Sequence, residues 1–220
     1  MLIRIFLISL VFLLVGCGVK TPLASIDQEN MQNNAIIMGS LSRESGKAYY
    51  RTISFDVTDL EDNYIKSVVN QGKENLSSLS NPFEFEDDFE YENSNGSIFV
   101  ISLPAGSYKL QNFYVGSGAK GFNGKYQKKI TVKNGEIIYI GDVHSVPILK
   151  DNPFYDNVKM VNGAKFVISD TLERDYQVFQ KKYKGNFFKK ENIVTNVEEG
   201  SFKLGDFEDN TNYHLILAPK

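Results

Sequence analysis

Between residues 35 and 143 the chain is a succession of short runs rich in β-branched and aromatic residues, broken at close intervals by Gly, Pro or Asn-Gly. Such punctuation leaves no room for long helices. It suits antiparallel strands joined by tight turns, the makings of a β-sandwich. Residues 35–41 and 48–57 are two such runs, with Ser45-Gly46 as the turn between them. In the second, Tyr49, Arg51, Ile53, Phe55 and Val57 alternate with Tyr50, Thr52, Ser54 and Asp56. The odd set is mostly apolar, as in a half-buried strand. Residues 70–82 read as a loop. Residues 97–103 predict a strand, Pro104-Ala105-Gly106 a tight turn, and residues 108–115 the returning strand. The glycine-rich stretch 116–124 reads as a mobile loop. Residues 126–132 and 136–143 predict a hairpin across Lys133-Asn134-Gly135, because Asn-Gly is a strong hairpin signal.

After Pro147 the pattern changes. Residues 158–160 and 165–168 flank Asn162-Gly163 and predict another hairpin. Residues 170–183 form the one convincing helix. Leu172, Tyr176, Phe179 and Tyr183 share a face, and Asp170 with Glu173 makes a capping pattern. Lys181, Lys182 and Lys184 complement the negative end of the helix dipole. Residues 193–197 and 213–217 read as short strands.

The first residues concern location. Arg4 precedes an apolar run over residues 5–15 that is too short to span a bilayer, which needs about 20 residues. Gly16 and Cys17 follow directly. This is the outline of a secretory signal peptide. Leu14-Val15-Gly16-Cys17 resembles the lipobox of bacterial lipoproteins. The resemblance implies cleavage between Gly16 and Cys17 and attachment of diacylglycerol to the Cys17 thiol, with palmitate-type acylation of the freed amine. Gly18 resembles the class sorted to the outer membrane, facing the periplasm, if the source is Gram-negative. The expected organisation is a signal peptide over 1–16, a lipidated Cys17 and flexible polar tether over 17–34, a β-sandwich over 35–145, and a C-terminal elaboration over 146–220 whose helix packs on the sandwich.

Leu103-Pro104-Ala105-Gly106-Ser107-Tyr108, followed by Gly135-Glu136-Ile137-Ile138-Tyr139-Ile140-Gly141, resembles transthyretin-like and carboxypeptidase-regulatory-like β-sandwich modules. The resemblance implies an antiparallel, Ig-like sandwich used for binding or scaffolding, without catalysis.

Composition narrows the chemistry. With 24 Lys+Arg against 27 Asp+Glu the net charge is -3, which argues against a charge-driven nucleic-acid partner. The single Cys excludes an intrachain disulfide and a Cys-rich zinc site. No cofactor and no metal are expected.

Residues 83–92 alternate acids and aromatics. As a strand they place Phe83, Phe85, Asp87, Phe89 and Tyr91 on one face and five acids on the other, an edge with a solvated acidic face. Phe85, Asp87, Asp88, Phe89 and Tyr91 are the candidate contacts for an envelope protein or polysaccharide, and no EF-hand spacing is present. Asp142 and His144, with the carboxylates of 84–92, are the material for an alternative, an envelope hydrolase or metal-dependent enzyme. His214 reads as a sheet residue. Residues 116–121 fit no phosphate-loop pattern. Lys181, Lys182, Lys184, Lys189 and Lys190 form a basic cluster suited to solvent, lipid headgroups or an anionic polymer.

Overall fold

The computed structural model describes residues 20–45, 52–71, 87–91, 93–117, 120–154, 159–183 and 189–204. Its strands, in chain order, are β1 (Asn34–Glu44), β2 (Thr52–Thr58), β3 (Tyr64–Gln71), β4 (Phe89–Tyr91), β5 (Ser94–Pro104), β6 (Gly106–Ser117), β7 (Lys120–Gly124), β8 (Lys128–Val132), β9 (Ile137–Asp151), β10 (Lys159–Ser169), β11 (Ile193–Thr195) and β12 (Gly200–Leu204). Among the described residues two α-helices accompany them, α1 (Gln28–Asn33) and α2 (Leu172–Lys182). Among the described residues no helix is long and apolar enough to cross a membrane.

The strands make two sheets. One has seven strands in the order β12-β10-β9-β1-β5-β4, with β11 paired to β9; the other has five in the order β3-β2-β6-β7, with β8 paired to β6. Their apolar faces meet in a core that includes Ile37, Leu41, Ile53, Val57, Val115 and Ile140. At its centre Phe113 stacks on Phe55 and meets the edges of Phe166 and Phe202. Rings of this size supply the largest apolar area per residue, and edge-to-face packing adds to it. The expected β-sandwich with one sizeable helix is what forms. The alternation in β2 places Ile53, Phe55 and Val57 in the core as its period of two requires.

One detail departs from a wholly antiparallel set: β1 and β11 both run parallel to β9. The cause lies in the turns. The chain enters β9 from β8, in the opposite sheet, at the end where β1 begins; Gly135 N–H donates to the Asn34 carbonyl at 2.9 Å. Residues 133–135 are therefore a corner between sheets and close no hairpin. Gly135, at φ 78°, adopts the left-handed conformation the corner needs. Residues 104–106 are likewise a corner, carrying the chain from β5 in one sheet to β6 in the other. The Tyr108 hydroxyl ties this corner by donating to the Pro104 carbonyl at 2.8 Å, and Ala105 N–H donates to Asn134 Oδ1 at 3.1 Å, joining the two corners. Asn162-Gly163 is no turn either. It lies within the continuous strand β10, at a register shift against β9 between Val161 and Gly163. The stretch expected as a mobile loop at 116–124 belongs largely to β6 and β7, which pair with each other.

The largest correction concerns the tether. Residues 20–33 are part of the fold. Thr21 N–H donates to the Val69 carbonyl of β3 at 3.0 Å, and Ala24 N–H donates to the Val100 carbonyl of β5 at 2.9 Å. This strap thereby spans the open side of the sandwich, from the edge of one sheet to the edge of the other. Ile26 is buried, with Leu23, Ala24 and Met31 packed in the same cluster. Asp27 caps α1 by accepting the Asn30 N–H at 2.8 Å. Polarity alone suggested a tether because the segment has few apolar residues. Those few sit where a free strand edge and an apolar outer face need covering.

Candidate functional site

The outer face of the seven-stranded sheet is apolar at one end and ionic at the other. On β1, Ile36, Met38, Ser40 and Ser42 point outward in turn. On β9, Tyr139 does so, and then the phase changes. Met38 pairs with Tyr139 but Ser40 pairs with Asp142, so β9 carries one extra residue at this bulge. Gly141 takes φ 104°, beyond the reach of most side chains, and Gly39 opposite has no room for a Cβ beside the Gly141 carbonyl and Phe99. The bulge turns Asp142 and His144 to the outer face and leaves Val143 in the core.

Helix α2 covers this face. Tyr176, Val178 and Phe179 bury against Ile36, Met38 and Val100, with Leu172 and Tyr183 packed around them. The Tyr183 ring stacks on Phe179 and its hydroxyl donates to the Ala24 carbonyl at 2.6 Å. Asp170 Oδ1 accepts the Leu172 N–H at 3.0 Å at the helix start. Glu173 is turned to Lys190 and closes no capping box.

The first turn of α2 brings Arg174 and Asp175 onto the ionic end. Arg174 donates through Nε to Asp175 Oδ1 at 2.8 Å, and its Nη2 lies 2.8 Å from Ser40 Oγ and 3.2 Å from Asp142 Oδ2. The guanidinium carbon lies 4.0 Å from the centre of the Phe89 ring, a cation–π contact. Asp175 is fully buried. Its Oδ2 accepts from Tyr139 at 2.8 Å and lies 2.7 Å from Ser40 Oγ. Asp142 lies 2.9 Å from Ser40 through Oδ1 and 2.8 Å from Ser42 through Oδ2. His144 Nδ1 lies 2.8 Å from Ser42 Oγ.

Two carboxylates and one guanidinium leave a buried excess of negative charge, and the single Ser40 proton cannot serve both carboxylates. Both carboxylate contacts of Ser40 are satisfied when Asp142 carries a proton on Oδ1 and donates it to Ser40, and Ser40 donates to Asp175. Asp175 is the better-served anion, with Arg174 on one oxygen and Tyr139 and Ser40 on the other. Burial pushes both carboxyls above the ordinary aspartate range, against the pull of Arg174. Burial lowers Arg174, but Asp142 and Asp175 outweigh it and hold the guanidinium charged. Burial also lowers His144, which favours the neutral ring.

Asp142 and His144, both singled out in the sequence, thus come together on Ser42. Their order is Asp–Ser–His. In a hydrolytic triad the His stands between the Ser and the carboxylate. Here Ser42 gives its proton to Asp142, and the His144 contact closes when Nδ1 carries the ring proton, an arrangement that orients side chains. Ser145, next in sequence, is buried away from His144 with its hydroxyl unpartnered. Among the described residues no group of three or more His, Cys, Asp or Glu side chains is placed to hold a metal ion.

The acidic run is described from Asp87 onward; Phe83, Phe85, Glu84, Glu86 and Glu92 lie outside the described residues, as do Cys17, Lys184, His214 and the strand expected at 213–217. Of the acidic face, Glu90 is exposed as expected, whereas the Asp88 carboxylate is drawn inward. Asp87 pairs with Arg43 at 2.5 Å, and Asp88 takes Lys20 at 2.6 Å, Lys182 at 2.7 Å and the Ile98 N–H at 3.0 Å. These carboxylates hold the short edge strand β4, the strap and α2 together. Phe89 is buried beneath Arg174, and Tyr91 alone of the described contact candidates presents an exposed ring.

Compared with models of protein families, with curated proteins and with solved structures, the chain matches none.

Proposed function

We propose that this chain is a lipoprotein of the bacterial cell envelope, anchored in the bilayer by acylated Cys17, whose β-sandwich does binding or structural work without catalysing a reaction. Leu14-Val15-Gly16-Cys17, closing a short apolar leader, carries the reading. Diacylglycerol on the thiol and a third chain on the amine give a stable anchor, where one chain binds marginally. Gly18 favours the outer membrane, facing the periplasm, in a Gram-negative source. The likeness to transthyretin-like modules supports an envelope protein or polysaccharide as partner. The closed hydrogen-bond network around Asp142 supports a fold-holding role for the residues an enzyme reading would recruit.

Metabolic labelling with radioactive palmitate tests the anchor. The wild type takes up label, and Cys17→Ser takes up none and either keeps its leader or appears as soluble protein. Absence of label from the wild type sinks the reading.

A further inference from the structure

The start of the strap, the end of α2 and the residues leading into β4 enclose a recess of about 350 Å3 lined by Lys20, Asp87, Asp88, Val178, Lys181 and Lys182. We infer that this recess seats the phosphate of a phospholipid headgroup in the same membrane that holds Cys17, so that the domain docks on the bilayer by this face. The inference rests on the lipoprotein reading above and adds to it an orientation and a ligand.

Charge favours an anion. Lys20, Lys181, Lys182 and the adjoining Arg43 bring four positive charges against the two of Asp87 and Asp88. Asp88 is nearly fully buried and draws Lys20 and Lys182 together on one oxygen, which fixes two ammonium groups side by side at the rim. Lys181 is exposed and has no ion-pair partner among the described residues, whereas Lys189 pairs with Glu191 and Lys190 with Glu173. Beside the recess a donor is left unused: Arg43 Nη1 is buried without a hydrogen-bond partner.

Chain length selects the lipid over other anions. Lys20 is three residues beyond Cys17. Three extended residues reach about 10 Å at most. Lys20 itself is held by Asp88, and the strap is locked to both sheets from Thr21 onward. An acylated Cys17 therefore keeps this recess close to the headgroups. A cluster of lysines beside an acyl anchor is also the pairing that makes membrane attachment firm.

The test uses the chain from residue 17 carrying Cys17→Ser, which keeps every described residue, and measures co-sedimentation with vesicles. The expected result is binding to phosphatidylglycerol-containing vesicles, weak binding to pure phosphatidylcholine, and loss at high salt. Lys181→Glu should weaken the binding by at least about fivefold, and Lys181→Glu with Lys182→Glu further still. Lys129→Glu with Lys133→Glu, an equal charge change on exposed lysines elsewhere, should leave it unchanged. Lys181→Glu melts like the parent, so its effect is not one of unfolding. Equal binding by parent and Lys181→Glu, or equal loss in the Lys129/Lys133 control, overturns the inference. Displacement from vesicles by millimolar inorganic phosphate, with that phosphate stabilising the parent but not Lys181→Glu, assigns the recess to free phosphate and overturns the lipid. Palmitate labelling reports on the anchor separately: a labelled wild type with no vesicle binding removes this inference alone, and vesicle binding without label removes the anchor alone.

Discussion

The two faces of the seven-stranded sheet are built from the same strands by different means. The inner face of β1 and β9 offers Ile37, Leu41, Ile140 and Val143 to the opposite sheet, which meets it with aliphatic side chains such as Ile53 and Val115 and with the rings of Phe55 and Phe113. The outer face begins in the same way, with Ile36, Met38 and Tyr139 under α2, and then gives way to Ser40, Ser42, Asp142 and Arg174. Inner contacts are non-directional and sum over area. Outer ones depend on the placement of single protons. The first face therefore tolerates substitutions that conserve volume, and the second tolerates those that conserve donors and acceptors.

The strongest way to break the inner face is Phe166→Ala, which leaves a cavity among Phe113, Phe202 and their neighbours. The expected loss is about 3–5 kcal/mol by urea unfolding. The outer face separates its two aspartates. Asp175→Asn sets an amide against Arg174 and Tyr139 and should cost about 2–3 kcal/mol. Asp142→Asn puts an N–H on the Ser40 side, where a proton on Oδ1 would bond, and keeps an oxygen for Ser42, so at pH 7 it should cost no more than about 1 kcal/mol. Equal losses from the two would show that the proton is not on Asp142.

The smallest effect is one of pH. Asp142 has a native pKa raised above its ordinary value of 3.8. Its contribution is complete below that value and is lost as pH rises towards the native one, because the folded state keeps a proton the unfolded chain releases. Asp175 and Asp87 act in the same sense. His144, lowered from 6.5, acts oppositely, and stability recovers as pH rises towards that value. Asp142→Asn should flatten the decline above pH 4. A slope identical to that of the wild type across pH 4–7 would remove Asp142 as its source.

The inner face was legible in the sequence and the outer one only in part. Ile53, Phe55 and Val57 announce a half-buried strand by period alone, and Tyr176 and Phe179 announce the buried side of a helix. The turn residues show where the chain bends but carry no information on which sheet the next strand joins. The corners at 104–106 and 133–135 therefore read as hairpins. Asp142 and His144 stood out as titratable groups beside each other. Ser40, Ser42, Arg174 and Asp175 did not, since hydroxyls in strands and charges in a helix are ordinary on a surface. A signal was present nonetheless: Asp175 falls three residues after Leu172 and four before Phe179, on the apolar stripe of α2, where a carboxylate needs a partner. The bulge at Gly141 is what hid the site, because it breaks the alternation from which the facing of Asp142 would be read.

The strap has a mechanical consequence. Any pull on the chain from the N-terminal side enters the domain through residues 20–26. Thr21 hands part of that load to β3 in one sheet and Ala24 hands part to β5 in the other. Tension is divided across the sandwich before it reaches the core, so a tug from that side draws on both sheets together and does not peel one from its neighbour.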